Sequence, residues 1–103
     1  MDKIAMLTEI LAEHPTDAFT RYGLAMAYAA EDRHDEALRE FATTTQHNPD
    51  YVPAYQMSAQ TLLKLGRAAD ARQRLEAGLG AAARTHNDHA ASELQAMLDD
   101  LAL

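Results

Sequence analysis

The residues best equipped for chemistry lie near the C-terminus, where His86 and His89 flank Asp88 and Glu93 follows His89 by one helical turn. Imidazole nitrogens and carboxylate oxygens so spaced are the donor set of a Zn²⁺ site. That site would fall at the start of a helix, with no evident outer groups to orient the imidazoles, and tight sites need such groups. No metal and no cofactor is therefore expected. Paired acids are the raw material of general acid–base catalysis. Yet in Asp99-Asp100 and Asp35-Glu36 the two carboxylates are neighbours in sequence, so in a helix they point to different faces. They read as solvated charges. The chain has no cysteine, which removes thiolate nucleophiles, thiolate metal sites and disulfides together. No serine stands in a Gly-x-Ser-x-Gly turn, and the glycines are scattered rather than gathered into a phosphate-binding loop. The chain is not expected to be an enzyme.

Its charge narrows what it can bind. The formal net charge of −7, from 9 Lys+Arg against 16 Asp+Glu, repels phosphate backbones and anionic lipid surfaces. Neither nucleic acid nor membrane is an expected partner. A helix-turn-helix reading of residues 18–47 would need a basic recognition helix, and residues 35–47 offer Arg39 against Asp35, Glu36 and Glu40. Arginines do gather later, as Arg67, Arg72, Arg74 and Arg84 against Asp70 and Glu76, and read as helix faces neutralised by their neighbours. The N-terminus carries a charge every few residues and no long apolar run, so neither a signal peptide nor a membrane span is read there, and the cytoplasm is the expected compartment.

The elements that would position a binding face are helical. At 103 residues, 48% apolar, with four Gly and three Pro, the chain suits one all-α domain with a modest core. Ile4, Leu7, Ile10 and Leu11 form an apolar stripe on a helix over residues 2–14, which Pro15 ends. Asp17 is placed to cap the next helix by accepting a backbone N–H. Residues 18–31 are apolar on two faces. Leu24 and Tyr28 share one; Phe19, Tyr22, Met26 and Ala29 or Ala30 share the other. Such a helix is buried on both sides or presents one to a partner. Residues 35–47 follow with Ala37, Leu38 and Phe41 inward, and the run Thr43-Thr44-Thr45 predicts fraying before Asn48-Pro49. Asp50 opens a helix over residues 51–65, which tolerates Pro53 in its first turn. Gly66 ends it as a left-handed cap. Residues 68–84 place Ala71, Leu75 and Leu79 inward, with Gly78 and Gly80 weakening the far end. Thr85-His86-Asn87 forms a break, and residues 88–102 put Leu94, Met97, Leu98 and Leu101 on one face.

Two of these helix pairs share a pattern. Leu24-Ala25, Tyr28, Ala37, Phe41 and Pro49 fall close to W-x2-L-G-x2-Y, A-x3-F and a closing proline, with Arg21 in place of the tryptophan and Ala25 in place of the glycine. Pro15 precedes Pro49 by one period of that pattern, and the same shift carries Arg21 to Tyr55, Ala25 to Ala59, Tyr28 to Leu62, Ala37 to Ala71 and Phe41 to Leu75. The chain resembles the tetratricopeptide repeat family. That resemblance implies a right-handed superhelix of antiparallel helix pairs built from six helices. Residues 1–15 would be a half repeat, 16–49 the first repeat, 50–84 the second and 85–103 a capping helix over the last apolar face.

The family is one of binding modules, in which the first helices of successive repeats line a concave groove for peptides. By position, the groove here would take Phe19, Tyr22, Met26, Ala29 and Ala30 from the first repeat. Pro53, Gln56, Gln60, Leu63 and Lys64 would come from the second. Some family members clamp a peptide's C-terminal carboxylate with lysine, asparagine and arginine. Tyr22 and Met26 stand where lysine and asparagine would be needed, so Gln60 and Lys64 alone remain of such a clamp. The implied function is a scaffold that binds a protein or peptide partner. Self-association into a homodimer is the alternative, and metal binding through the histidines a third.

Overall fold

The structure, a computed structural model, describes residues 2–102. It holds six helices: α1 (Lys3–Glu13), α2 (Ala18–Ala30), α3 (His34–His47), α4 (Val52–Lys64), α5 (Ala68–Arg84) and α6 (Asp88–Ala102). Among the described residues there is no strand. The breaks fall where the sequence predicts them, each boundary within a residue or so. Connections this short send each helix back along its predecessor. Each helix packs on the next, and α2 also touches α4. The molecule measures 43 × 29 × 18 Å, so its thin dimension holds about two helix diameters.

The turns explain the geometry. Asp2 caps α1, its carboxylate accepting from the Ala5 N–H at 2.9 Å. After α2, α4 and α5 the chain makes one and the same closure, centred on Asp32, Gly66 and His86, all with positive φ. At each, the left-handed residue and its successor donate to the carbonyls three and five residues back: Asp32 to Ala29 and Arg33 to Tyr28, Gly66 to Leu63 and Arg67 to Leu62, His86 to Ala83 and Asn87 to Ala82. This is the Schellman arrangement, which satisfies the last carbonyls of a helix while reversing the chain.

Two groups of buried side chains meet at α4. One gathers Ala25, Ala37, Phe41 and Ala54. The other gathers Val52, Tyr55, Ala59, Leu62, Ala71, Leu75, Ala81, Ala82 and Leu94. Small residues dominate where helices cross, because a larger side chain would push the backbones apart.

Some local expectations are corrected. Asp17 precedes α2 but makes no capping bond to a backbone N–H; its carboxylate instead accepts the Thr20 hydroxyl at 2.7 Å. The threonine run does not fray. Thr44 and Thr45 are buried, and all three hydroxyls donate back to carbonyls of their own helix, at Arg39, Glu40, and Phe41 with Ala42. Burial and these bonds outweigh the weak propensity. Gly78 is a packing residue: a Cβ there would lie 2.9 Å from that of Tyr55 and 3.2 Å from Leu94 Cδ1. Finally, Ile10 of the apolar stripe is exposed, as is Met6, because α1 packs chiefly against one neighbour, α2.

Candidate binding face

A helix that must bind through one side chain stripe needs its other faces fixed, and Arg21 and Tyr55 do this at equivalent positions of successive repeats. Arg21 donates to the Pro15 carbonyl at 2.9 Å and to Glu40 at 2.6 Å. The Tyr55 hydroxyl donates to the Pro49 carbonyl at 2.8 Å. Both side chains thus tie a helix to the proline turn before it. Arg84 adds a second bond to Pro49, at 3.1 Å, and an ion pair to Asp50 at 2.7 Å. These bonds hold the start of α2 and of α4 against the turn before it.

Between α2 and α4 runs a recess of about 190 Å³, lined by Met26, Ala29 and Ala30 from one helix and Met57, Gln60, Thr61 and Lys64 from the other. The alanines leave the space that the long side chains surround. Two methionines make an apolar, adaptable wall. Gln60 brings an amide and Lys64 an ammonium that pairs with no carboxylate among the described residues. The recess suits one or two side chains of a larger partner rather than a whole small molecule.

Of the residues the family register assigns to a groove, Met26, Ala29, Ala30, Gln60 and Lys64 come together in this recess. Phe19 continues the Met26 stripe toward the start of α2 and is 74% exposed. Tyr22 is packed inward, its ring 6.0 Å from Phe41 and 5.4 Å from Tyr51, and burial raises its hydroxyl's pKa above the usual value. Gln56 donates to Glu93 of α6 at 2.9 Å. Leu63 packs against the second buried group, and Pro53 is exposed. The register does not point to Met57 and Thr61, although they stand one turn apart beside Gln60 and Lys64. Their adjacency to that pair is the signal that marks them.

The histidine cluster is open. His89 contacts Glu93 at 2.5 Å but is 88% exposed, and among the described residues no three His, Cys, Asp or Glu side chains gather as a metal site would require. No helix among these residues is long and apolar enough to cross a membrane.

The tetratricopeptide repeat pattern matches the chain twice, over residues 4–57 and 29–98. No curated protein matches. Among solved structures, a protein of Bordetella parapertussis is 30% identical over 99% of this chain and 89% of its own, with a TM-score of 0.82. A tetratricopeptide repeat domain protein from Salinibacter ruber is 31% identical over 84% of this chain and 88% of its own, with a TM-score of 0.80. The TPR2B domain of yeast Sti1, solved as a complex with pHsp70, shares the fold at 23% identity, with a TM-score of 0.88 over 96% of this chain and 79% of its own.

Proposed function

The chain belongs to the tetratricopeptide repeat family, and from that premise we propose that it is a non-enzymatic interaction module whose α2–α4 face takes a peptide or a helix of a partner protein. The observation that carries this reading is the recess itself, an apolar pocket with an amide and an unpaired ammonium at its edge. An apolar side chain of the partner fills the space beside Met26 and Met57, while Gln60 and Lys64 hold a carbonyl or carboxylate of its backbone or neighbouring side chain. Exposed Phe19 extends the contact along α2. The complex of the Sti1 domain with its partner supports the reading, since that domain has the same fold.

Within this reading residues 1–15 serve as a half repeat and residues 85–103 as the cap. Peptides selected on the purified chain from a displayed library test it. Met26→Glu, which places a charge in the recess, should weaken their binding by about tenfold or more while leaving the helical spectrum intact. Undiminished binding to Met26→Glu would contradict the assignment.

A second reading rests on Met6 and Ile10, 47% and 39% exposed on α1: a second copy of the chain covers them. Sedimentation equilibrium separates the two, because a dimer held there loses mass with Met6→Glu and not with Met26→Glu.

A further inference from the structure

Equivalent positions of the two repeats give an internal comparison. Arg21 and Glu40 form a largely buried ion pair at 2.6 Å, and a shift of one repeat leads to Tyr55 and Arg74. There the guanidinium lies over the tyrosine ring, 4.7 Å from its centre, and gives one hydrogen bond, to the Thr45 hydroxyl at 3.1 Å. A guanidinium carries five N–H donors. Stacking and one neutral acceptor leave most of them, and the whole charge, without an acidic counterpart. Burial lowers the pKa of Arg74 from its ordinary value, against a smaller raising effect of Tyr55, as expected of a cation short of a counter-charge.

Among the described residues, Arg21, Arg33, Arg67 and Arg84 are ion-paired, and Arg39, Arg72 and Arg74 are not. Two of the latter, Arg39 and Arg74, line one hollow of about 420 Å³ formed by α3, α4 and α5. Leu38 and Leu62 give it an apolar wall. Its carboxylates are Asp70, held by Arg67 at 2.8 Å, and Asp35. Three arginines against two aspartates leave one positive charge there, in a chain whose net charge is −7.

We infer that this hollow binds a small organic carboxylate, its carboxyl group on the Arg74 guanidinium and its hydrocarbon part against Leu38 and Leu62. The guanidinium fork matches a carboxylate in a bidentate fashion, and the Tyr55 ring and the Thr45 hydroxyl already hold it in place. The volume lies in the range of small-molecule sites. The apolar wall favours a carboxylate on a hydrocarbon over a phosphate. The hollow uses Ser58 and Leu62 of α4 rather than Met57, Gln60, Thr61 and Lys64, so it is independent of the partner recess.

Benzoate is the probe, with inorganic phosphate and benzyl alcohol run in parallel, and the arginine Nε–H and leucine methyl NMR signals of the full chain are followed. Benzoate should give saturating shifts at Arg74, Leu38 and Leu62, while phosphate and benzyl alcohol give none there over the same range. Arg74→Gln should weaken benzoate by about tenfold or more. Because that change also removes the stack on Tyr55, Arg39→Gln, at an exposed position, serves as the second variant and should weaken benzoate measurably with the fold unchanged. Shifts that do not saturate, that saturate elsewhere, or that survive both substitutions would overturn the inference, as would tighter binding of phosphate than of benzoate.

Discussion

At the scale of single residues, three helices close on a left-handed residue and only one uses glycine. Gly66 has φ of 74°, while Asp32 and His86 hold 58° and 55°. A side chain in that region costs about 1–2 kcal/mol, less for aspartate, whose short polar group tolerates it. His86→Gly should therefore raise stability by about 1 kcal/mol, Asp32→Gly by less, and Gly66→Ala should lower it by about 1 kcal/mol. Urea melts check all three, and a loss on His86→Gly would contradict the reading of that turn. Gly66 is legible as a cap because glycine announces the conformation; Asp32 and His86 are not, because their residue types do not. Two carboxylates also mark the acid limb of stability. Asp17 is held below its usual pKa chiefly by the Thr20 hydroxyl, and Glu36 chiefly by the Arg33 guanidinium. Depressed in the fold, each contributes stability that is present above its unfolded pKa and lost as pH falls through the folded value. The urea midpoint should drop through and below the carboxylate range, and the Asp17→Asn, Glu36→Gln double variant should drop less.

At the scale of elements, α5 carries two glycines with opposite roles. Gly78 sits where α4, α5 and α6 meet, and a Cβ would press on the Tyr55 backbone-proximal carbon and on Leu94. Gly80 would meet only the flexible end of Arg84, at 3.5 Å. Gly78→Ala should thus cost about 1–3 kcal/mol through overpacking, although alanine is the better helix former. Gly80→Ala should gain up to about 1 kcal/mol. Equal gains at both sites, measured in the same denaturant series, would show that α5 does not approach its neighbours so closely. Period and proline spacing make the helices readable, but local propensity misjudges both Gly78 and the threonine run. Each is settled by contacts with another element, which propensity does not contain. The exchange of the Arg21–Glu40 ion pair for the Tyr55–Arg74 stack is hidden for the same reason, since the partners lie on different helices.

At the scale of the whole molecule, α4 joins the two buried groups, giving Ala54 to one and Val52, Tyr55, Ala59 and Leu62 to the other. Its amides should exchange most slowly with solvent, and those of the terminal helices α1 and α6, which bury only Leu11 and Leu94, fastest. Protection ending at one side of α4 would mean that the two halves unfold separately. The repeat architecture is legible from the shift that carries Pro15 onto Pro49, and the same register places five side chains at the recess. It also names Tyr22, which turns inward onto Phe41 and Tyr51 because those rings stand across from it, and a register does not report what stands across. The partner face is the central claim, and a methyl NMR map of the chain with a display-selected peptide tests it most directly. The largest shifts should fall on Met26, Ala29, Ala30, Met57 and Thr61. Largest shifts on Met6 and Ile10, with those five unmoved, would contradict it.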